Sequence, residues 1–123
     1  MTFRILITGS RTWDNTAVIA KAMADAIVDA GATQDETIIV HGACPRGADN
    51  IADLLAQSWG ANIETHPGDW NTHGKAAGFI RNAEMVNLGA DTCLAFIKDN
   101  SKGASHTLDL ATRAGIPVQV FRE

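Results

Sequence analysis

Short apolar runs alternate with segments of helical periodicity along the whole sequence. The first run, residues 3–8, is rich in β-branched and aliphatic side chains and stops at Gly9, as expected of a strand buried on both faces. Beyond Asn15 or Thr16, either of which can cap a helix, apolar residues recur at helical spacing as far as Gly31. The same order repeats to the end of the chain, which predicts parallel strands joined by helical crossovers.

The remaining segments complete this pattern. Further strands are predicted at residues 37–41, 62–65, 92–97 and 117–121, and further helices at 47–59, 75–88 and 102–114. In the second helix, Ile51, Leu54 and Leu55 are predicted to face the sheet. Because such crossovers are right-handed, the elements predict a three-layer, Rossmann-like α/β sandwich with a five-stranded parallel sheet in the order 3-2-1-4-5. No repeat or linker divides the sequence, so we expect one domain over residues 1–123.

The composition narrows the classes of protein to consider. A net charge of −4 disfavours a broad nucleic-acid-binding surface, which depends on many lysines and arginines. No apolar stretch has the length needed to cross a bilayer, and the N-terminal residues lack the features of a signal peptide. Cys44 and Cys93 lie far apart and outside any CxxC motif, so we expect two reduced thiols in a cytoplasmic protein.

The basic residues are concentrated at one edge of the predicted sheet. In an open parallel sheet, ligands bind beyond the carboxyl ends of the strands, where the winding reverses, here between the first and fourth strands. Six of the ten basic residues lie in or beside the loops at that edge: Arg11, Arg46, Lys75, Arg81, Lys98 and Lys102. The opposite edge carries mostly carboxylates. This asymmetry predicts an anion site above helix N-termini, unless these side chains only decorate solvated loops.

The loop after the first strand begins with Gly9, Ser10 and Arg11. Glycine allows the backbone to approach a ligand closely, serine offers a hydroxyl, and arginine can fork onto phosphate oxygens. The pattern is not the GxGxxG dinucleotide fingerprint, and an ordinary turn is the alternative for Gly9.

The loop after the second strand contains Gly42 and Gly47 at the spacing of GxxxxG. Ala48 and Asp49 stand where a P-loop requires lysine and serine or threonine, so triphosphate hydrolysis by that mechanism is not expected. The glycines, together with Arg46, still predict a phosphate held by backbone N–H groups before a helix. Asp49 either offsets the helix dipole or binds a ribose hydroxyl.

Two tryptophans lie in predicted loops. Trp70 belongs to a long segment between residue 66 and Gly74, which Lys75 follows, and Trp13 belongs to the first loop. Long ordered loops tend to be functional, and an indole can stack on a base. We expect one of the two to contact the ligand and Lys75 to bind phosphate, although each tryptophan alone could merely cover the sheet edge.

One face of the third long helix carries Gly78, Arg81, Asn82 and Met85, at positions i, i+3, i+4 and i+7. Glycine, arginine and asparagine make a poor hydrophobic contact. We therefore expect Arg81 and Asn82 to face the site, the alternative for Arg81 being an internal ion pair. Glu84 lies off this face and is expected to be solvated.

The histidines give no metal signature. His41 and His66 both fall at strand ends, but the four histidines lack HExxH or similar ligand spacing. We predict no metal and no cofactor.

Together these motifs carry a family resemblance that extends over essentially the whole chain. It rests on Gly9-Ser10-Arg11, His41-Gly42, Gly47-Ala48-Asp49, Pro67, Trp70, Gly74-Lys75, Gly78, Arg81-Asn82 and Met85. In their order and spacing they resemble the YspA-type, cpYpsA-related branch of the SLOG superfamily. That superfamily is similar in fold to the Lonely Guy phosphoribohydrolases, which release a base from a nucleoside monophosphate, and to DNA-processing protein A. Other members sense nucleotide-derived signals such as NAD or ADP-ribose derivatives.

The resemblance implies roles for particular residues. The segment beginning at Arg81 is similar to the hydrolases' Arg-Lys-x-x-Met, which implies that Arg81 assists ribosyl transfer or holds the phosphate. The hydrolases' PGGxGTxxE signature is not intact: Gly103 survives, but the consecutive glycines and the glutamate are absent. Gly103 and Ser105 are implied to bind phosphate, and Asp109 is the nearest carboxylate. The resemblance also implies a homodimer, to which Ile80 and Val86 contribute unless they belong to the core.

Three functions follow. The first is binding or sensing of a phosphate-bearing nucleotide or nucleotide-derived small molecule. The second is an N-glycosidase acting on a nucleoside 5′-monophosphate, with Arg81 and Asp109 as catalytic residues. The third, binding of single-stranded nucleic acid, is disfavoured by the acidic net charge and by the lack of a basic groove with interleaved aromatic residues.

Overall fold

The computed structural model describes residues 2–123, which form a five-stranded parallel sheet with helices on both faces. The strands are β1 (Phe3–Gly9), β2 (Thr37–His41), β3 (Asn62–Thr65), β4 (Thr92–Ile97) and β5 (Val118–Arg122). The helices are α1 (Thr16–Asp29), α2 (Ala48–Trp59), α3 (Trp70–His73), α4 (Ala77–Asn87) and α5 (Lys102–Arg113). The strand order β3-β2-β1-β4-β5 and the Rossmann-like α/β class confirm the prediction. No helix in residues 2–123 combines the length and apolarity needed to span a membrane.

The segment between β3 and α4 is more ordered than the predicted loop. The side chain of Asp69 accepts a hydrogen bond from the Thr72 amide at 3.2 Å and so caps the short helix α3. A 3₁₀ turn, Gly74–Ala76, then leads into α4. The long helix therefore begins at Ala77, two residues later than the apolar periodicity predicted.

Alternating side chains of the strands fill two cores. Ile5, Ile7 and Phe96 point towards α1 and α2, whereas Leu6 and Cys93 pack on the opposite face, where α4 and α5 lie. This division gives the three layers that the sequence predicts.

Trp13 is part of the first core. It is 2% exposed and packs edge-on against Phe96, with the ring centroids 5.5 Å apart. Its indole N–H donates to the Asn15 carbonyl at 3.0 Å. Trp13 is therefore not available to stack on a ligand.

Helix α2 faces the sheet with alanines instead of leucines. Ala48, Ala52 and Ala56 are fully buried, while Leu54 is 56% exposed, so the prediction that Leu54 faces the sheet is wrong. Ile51 and Leu55 are partly buried at the margin of the core. A helix that lies close to a sheet has room only for small side chains on its inner face.

Gly9, the last residue of β1, sets this short distance. A Cβ at Gly9 would lie 2.3 Å from Cβ of Ala48 and 2.7 Å from the carbonyl oxygen of Phe96. Glycine is needed here for packing between α2 and the two central strands.

Replacement of Gly9 by alanine is therefore expected to destabilise the protein. Neither neighbour is the flexible end of a side chain, so a backbone shift is required and we expect a loss of about 1–3 kcal/mol in the free energy of unfolding. Urea denaturation measures it. Gly103→Ala is the control, because a Cβ there meets nothing within 4 Å. Equal stability of the two variants would contradict this account of the packing.

A charged network links β1 to β3 across β2. The Arg4 guanidinium donates to both oxygens of Glu64, at 2.9 and 2.8 Å. The His66 ring contacts the same carboxylate at 2.8 Å. Hydrogen bonds from Arg4 and His66 lower the pKa of Glu64 to about 2.

This network predicts an acid-dependent loss of stability. Because the pKa of Glu64 falls on folding, its contribution is complete above the ordinary value of 4.5 and declines as the pH drops towards about 2. Urea unfolding of the wild type and of Glu64→Gln, between pH 6 and pH 3, tests this. At pH 6 the wild type should have a higher free energy of unfolding than Glu64→Gln. The difference between the two proteins should shrink below about pH 4.5. A difference that stays constant across this range would contradict the assignment.

Candidate ligand-binding cavity

A cavity of about 550 Å³ lies at the carboxyl edge of the sheet. Its walls are formed by the loops after β1, β2 and β4, by the Pro67–Trp70 segment and by one face of α4. The edge between β1 and β4 is where the chain switches from one face of the sheet to the other, the place at which such folds bind ligands.

Many of the predicted site residues meet in this cavity. Those that line it are Gly9, Ser10, Arg11, Gly42, Asp49, Trp70, Arg81, Asn82 and Gly103. Met85, the fourth residue of the predicted α4 face, lines it as well.

The other predicted residues do not line the cavity. Arg46, Lys75 and Ser105 are exposed outside it. Gly78 lies beside its wall, where a Cβ would be 3.6 Å from both Arg81 Nη2 and the Trp70 ring. Asp109 is 55% exposed and pairs with Arg113 at 3.1 Å.

Gly47 and Ala48 lie beneath the cavity, against the end of β1. The Ala48 amide donates to the Ser10 carbonyl at 3.2 Å. Gly47 has φ +79°, and a Cβ on it would lie 2.3 Å from the same carbonyl oxygen. Both residues are thus needed for the approach of α2 to β1.

Ser10 joins β1 to β4 at the switch point. Its hydroxyl donates to the Lys98 carbonyl at 2.8 Å and accepts from the Lys98 amide, also at 2.8 Å. Ser10 is 2% exposed. The hydroxyl that the sequence predicted for the ligand is therefore engaged with the backbone, and it fixes the two loops relative to each other.

Arg81 is held in position by two neighbours. Its Nη1 donates to the Gly42 carbonyl at 2.5 Å, and its Nε donates to Oδ1 of Asn82 at 2.8 Å. A Cβ on Gly42 would lie 2.7 Å from Nη1, so the guanidinium needs a glycine there. Nη2 makes no hydrogen bond to any of residues 2–123. Arg81 is thus oriented by its neighbours, and its Nη2 can donate to a ligand.

Asp49 is the main departure from the predicted phosphate loop. Its Oδ2 accepts hydrogen bonds from the backbone amides of Gly42 at 3.2 Å and Cys44 at 3.4 Å. Burial raises the pKa of the Asp49 carboxyl, an effect opposed by His41, by Arg81 and by the two amides. A carboxylate from the first turn of α2 thus occupies the Gly42 amide, which was expected to bind phosphate, together with the neighbouring Cys44 amide.

His41 is engaged within the protein through both ring nitrogens. Nδ1 accepts from the Ala43 amide at 3.0 Å, which leaves Nε2 to donate to Asp53 at 2.7 Å. His66 contacts Glu64 instead. Within the described part of the chain, no group of three or more histidine, cysteine and acidic side chains is arranged to hold a metal ion.

The charges around the cavity favour an anion. Arg11, Arg81 and Lys98 line it, against two carboxylates, Asp49 and Asp99. Lys98 also lies 3.6 Å from Asp14 at the surface.

The loop after β4 adds cavity residues that the sequence did not single out as ligand contacts. Asp99 and Asn100 have φ of +58° and +51°, a backbone conformation that Asp and Asn tolerate better than most residues. Ser101 then caps α5, accepting from the Ala104 amide at 3.4 Å. Ser101 and Gly103 line the cavity, so the positive end of a twelve-residue helix lies at its wall. The sequence signal for these residues was a serine, Ser101, in position to cap the predicted helix that follows it.

Residues considered for a dimer contact differ in exposure. Val86 is 6% exposed and packs in the core with Leu6 and Val40, so it cannot contribute to a surface. Ile80 is 44% exposed on α4.

The sequence is similar to one protein family and to a phage protein. The model of a family described as "YspA, cpYpsA-related SLOG family" matches residues 3–73, more than half of the chain, and this stretch includes the loops after β1 and β2. The "Gene 61 protein" of Mycobacterium phage D29 is 45% identical over an alignment of 123 positions that covers 96% of this chain and 95% of that protein. No solved structure matches the chain. The chain belongs to the YspA, cpYpsA-related SLOG family.

Proposed function

We propose that this protein binds a phosphate-bearing nucleotide, or a small molecule derived from one, in the cavity at the carboxyl edge of the sheet. The observation that carries the proposal is the convergence of Arg11, Arg81 and Lys98 on one cavity beside the N-terminus of α5. Basic side chains and free helix amides together favour phosphate over a neutral ligand.

Arg81 is the strongest single contact for the phosphate. Its bonds to Gly42 and Asn82 fix the guanidinium before any ligand arrives, so little side-chain entropy is lost on binding. The unused Nη2 can donate to a phosphate oxygen. A preset arginine of this kind distinguishes a binding site from a merely basic surface.

The cavity also fits the rest of a nucleotide. Its volume of about 550 Å³ falls within the usual range for small-molecule sites. Trp70 is 51% exposed at the wall, and a large exposed indole offers a stacking surface for a base.

An N-glycosidase is the second candidate function, and one observation favours it. Cleavage needs a carboxylate near the sugar carbon to stabilise positive charge, and Asp49 shares the cavity with Arg81. Asp109, the catalytic carboxylate expected from the sequence, is ion-paired outside the cavity and is not part of this proposal. Chromatographic detection of free adenine from AMP separates catalysis from binding alone.

We also propose a homodimer, a cytoplasmic location and, as a third class of ligand, single-stranded nucleic acid. A homodimer through α4 would use the exposed apolar residues Ile80 and Leu88, and light scattering measures the mass in solution. The cytoplasmic location is proposed because the two cysteines lie far apart in the sequence and outside any CxxC motif. Single-stranded nucleic acid remains the third and least favoured ligand, and short oligonucleotides added to the binding assay below test it.

Replacement of Arg81 is expected to weaken binding selectively. Thermal shift and calorimetry with AMP, ADP-ribose and NAD should reveal at least one ligand that stabilises the wild type. Arg81→Ala should reduce affinity for that ligand by about 10- to 100-fold, the usual effect of losing a hydrogen bond to a charged group. Arg113→Ala, which removes an exposed arginine paired with Asp109, is the matched control. No stabilisation by any of these ligands, or equal binding by both variants, would refute the proposal.

Cys44 reports directly on occupancy of the cavity. It is half-buried and lines the wall, whereas Cys93 is buried and burial raises the pKa of its thiol to about 12. We expect a thiol reagent to modify Cys44 alone in the folded protein, and a bound nucleotide to slow that reaction. Cys44→Ser, which should show no fast phase, is the control. An unchanged rate in the presence of a ligand that raises the melting temperature would place the ligand elsewhere.

A further inference from the structure

The cavity wall contains a carboxylate oxygen without a partner. Asp49 is 8% exposed, and its Oδ2 is fixed by the amides of Gly42 and Cys44. No group in residues 2–123 donates a hydrogen bond to Oδ1. Because no fully buried side-chain oxygen or nitrogen of these residues lacks a partner, Oδ1 must be accessible at the cavity surface.

The charges around Asp49 limit what can occupy the space next to Oδ1. A phosphate would be repelled by the carboxylate. A cationic ligand group would be repelled by Arg11, Arg81 and Lys98, which line the same cavity. An uncharged hydrogen-bond donor satisfies both conditions, and a hydroxyl is the simplest such group.

The position of Asp49 in the fold favours a sugar hydroxyl over a base amino group. Asp49 is nearly buried at the start of α2, whereas Trp70, the stacking surface available to a base, is half exposed. Lys98 and the start of α5 follow β4, on the far side of β1 from β2. Asp49 binds the amides of the loop after β2, so a phosphate held by Lys98 and the start of α5 lies across β1 from its carboxylate. The sugar is the part of a nucleotide that lies between base and phosphate.

We propose that Oδ1 of Asp49 accepts a hydrogen bond from a ribose hydroxyl, and that the cavity thereby selects nucleotides that carry this hydroxyl over analogues that lack it. The inference rests on the proposed function and adds the substrate class. A site that leaves a buried charged acceptor unpaired rejects the analogue that lacks the donor.

Calorimetry with four defined probes tests this selectivity. AMP is compared with 2′-deoxy-AMP and 3′-deoxy-AMP, which each lack one hydroxyl, and with IMP, which lacks the amino group of the base. We expect at least one deoxy analogue to bind about 10- to 100-fold more weakly than AMP, and IMP to bind like AMP. A loss with IMP but with neither deoxy analogue would overturn the assignment to the sugar.

Asp49→Asn supplies the matching change in the protein. Its side-chain carbonyl can still accept from Gly42 and Cys44, but its NH₂ group then faces the cavity as a donor. The ratio of AMP to deoxy-AMP affinities should fall towards one. Asp53→Asn, one turn further along α2 and outside this cavity, should keep the wild-type ratio.

The outcomes separate the two proposals. If none of AMP, ADP-ribose and NAD binds the wild type, the proposed function fails and this inference fails with it. If AMP binds and both deoxy analogues bind as tightly as AMP, this inference fails and the proposed function does not. The comparison of ligands uses the wild type, so it decides the question even if Asp49→Asn does not fold.

Discussion

The architecture depends on the close contact between the end of β1 and the start of α2. Gly9 and Gly47 leave no room for a Cβ, and the Ala48 amide bonds to the Ser10 carbonyl in the space that results. Ser10 in turn links β1 to the backbone of β4 through its hydroxyl. One short stretch of chain therefore holds three loops together at the point where the sheet changes its direction of winding. The cavity is a consequence of that junction.

The same junction determines how charge is arranged. A glycine-rich loop before a helix ordinarily presents its amides to an anion from solution. Here the first turn of α2 supplies the anion itself, as Asp49. The amides are thereby satisfied, and the cationic groups that line the cavity lie on the loops after β1 and β4 and on α4. The cavity combines an acceptor with basic groups, which suits a ligand that carries both hydroxyls and phosphate.

Much of this could be predicted from the sequence, because the fold follows from periodicity. Buried parallel strands read as continuous apolar runs, and their order followed from the usual handedness and the lengths of the crossovers. The convergence of Ser10, Arg81 and Gly103 on one cavity followed from their positions after strands or on one helical face. Errors arose where residue type alone was the guide. Leu54 was assigned to the core because leucine is apolar, but it is exposed, and the inner face of α2, close to the sheet, carries alanines instead. Trp13 and Trp70 looked alike in sequence, and tertiary packing alone separates the buried one from the exposed one.

The hydrogen-bond partners of polar side chains were the least predictable feature. The sequence identifies Ser10 and Asp49 as polar residues near the site, but it does not say whether their hydrogen-bonding groups face the backbone or the ligand. Distances of about 3 Å between residues far apart in the chain decide that, and they depend on the whole fold. A crystal structure of the protein with ADP-ribose tests the central claim most directly. The account predicts phosphate density against Arg11, Arg81 or Lys98, with a ribose hydroxyl at Asp49. A ligand bound outside this cavity, or an empty cavity in crystals grown at saturating ligand, would contradict it.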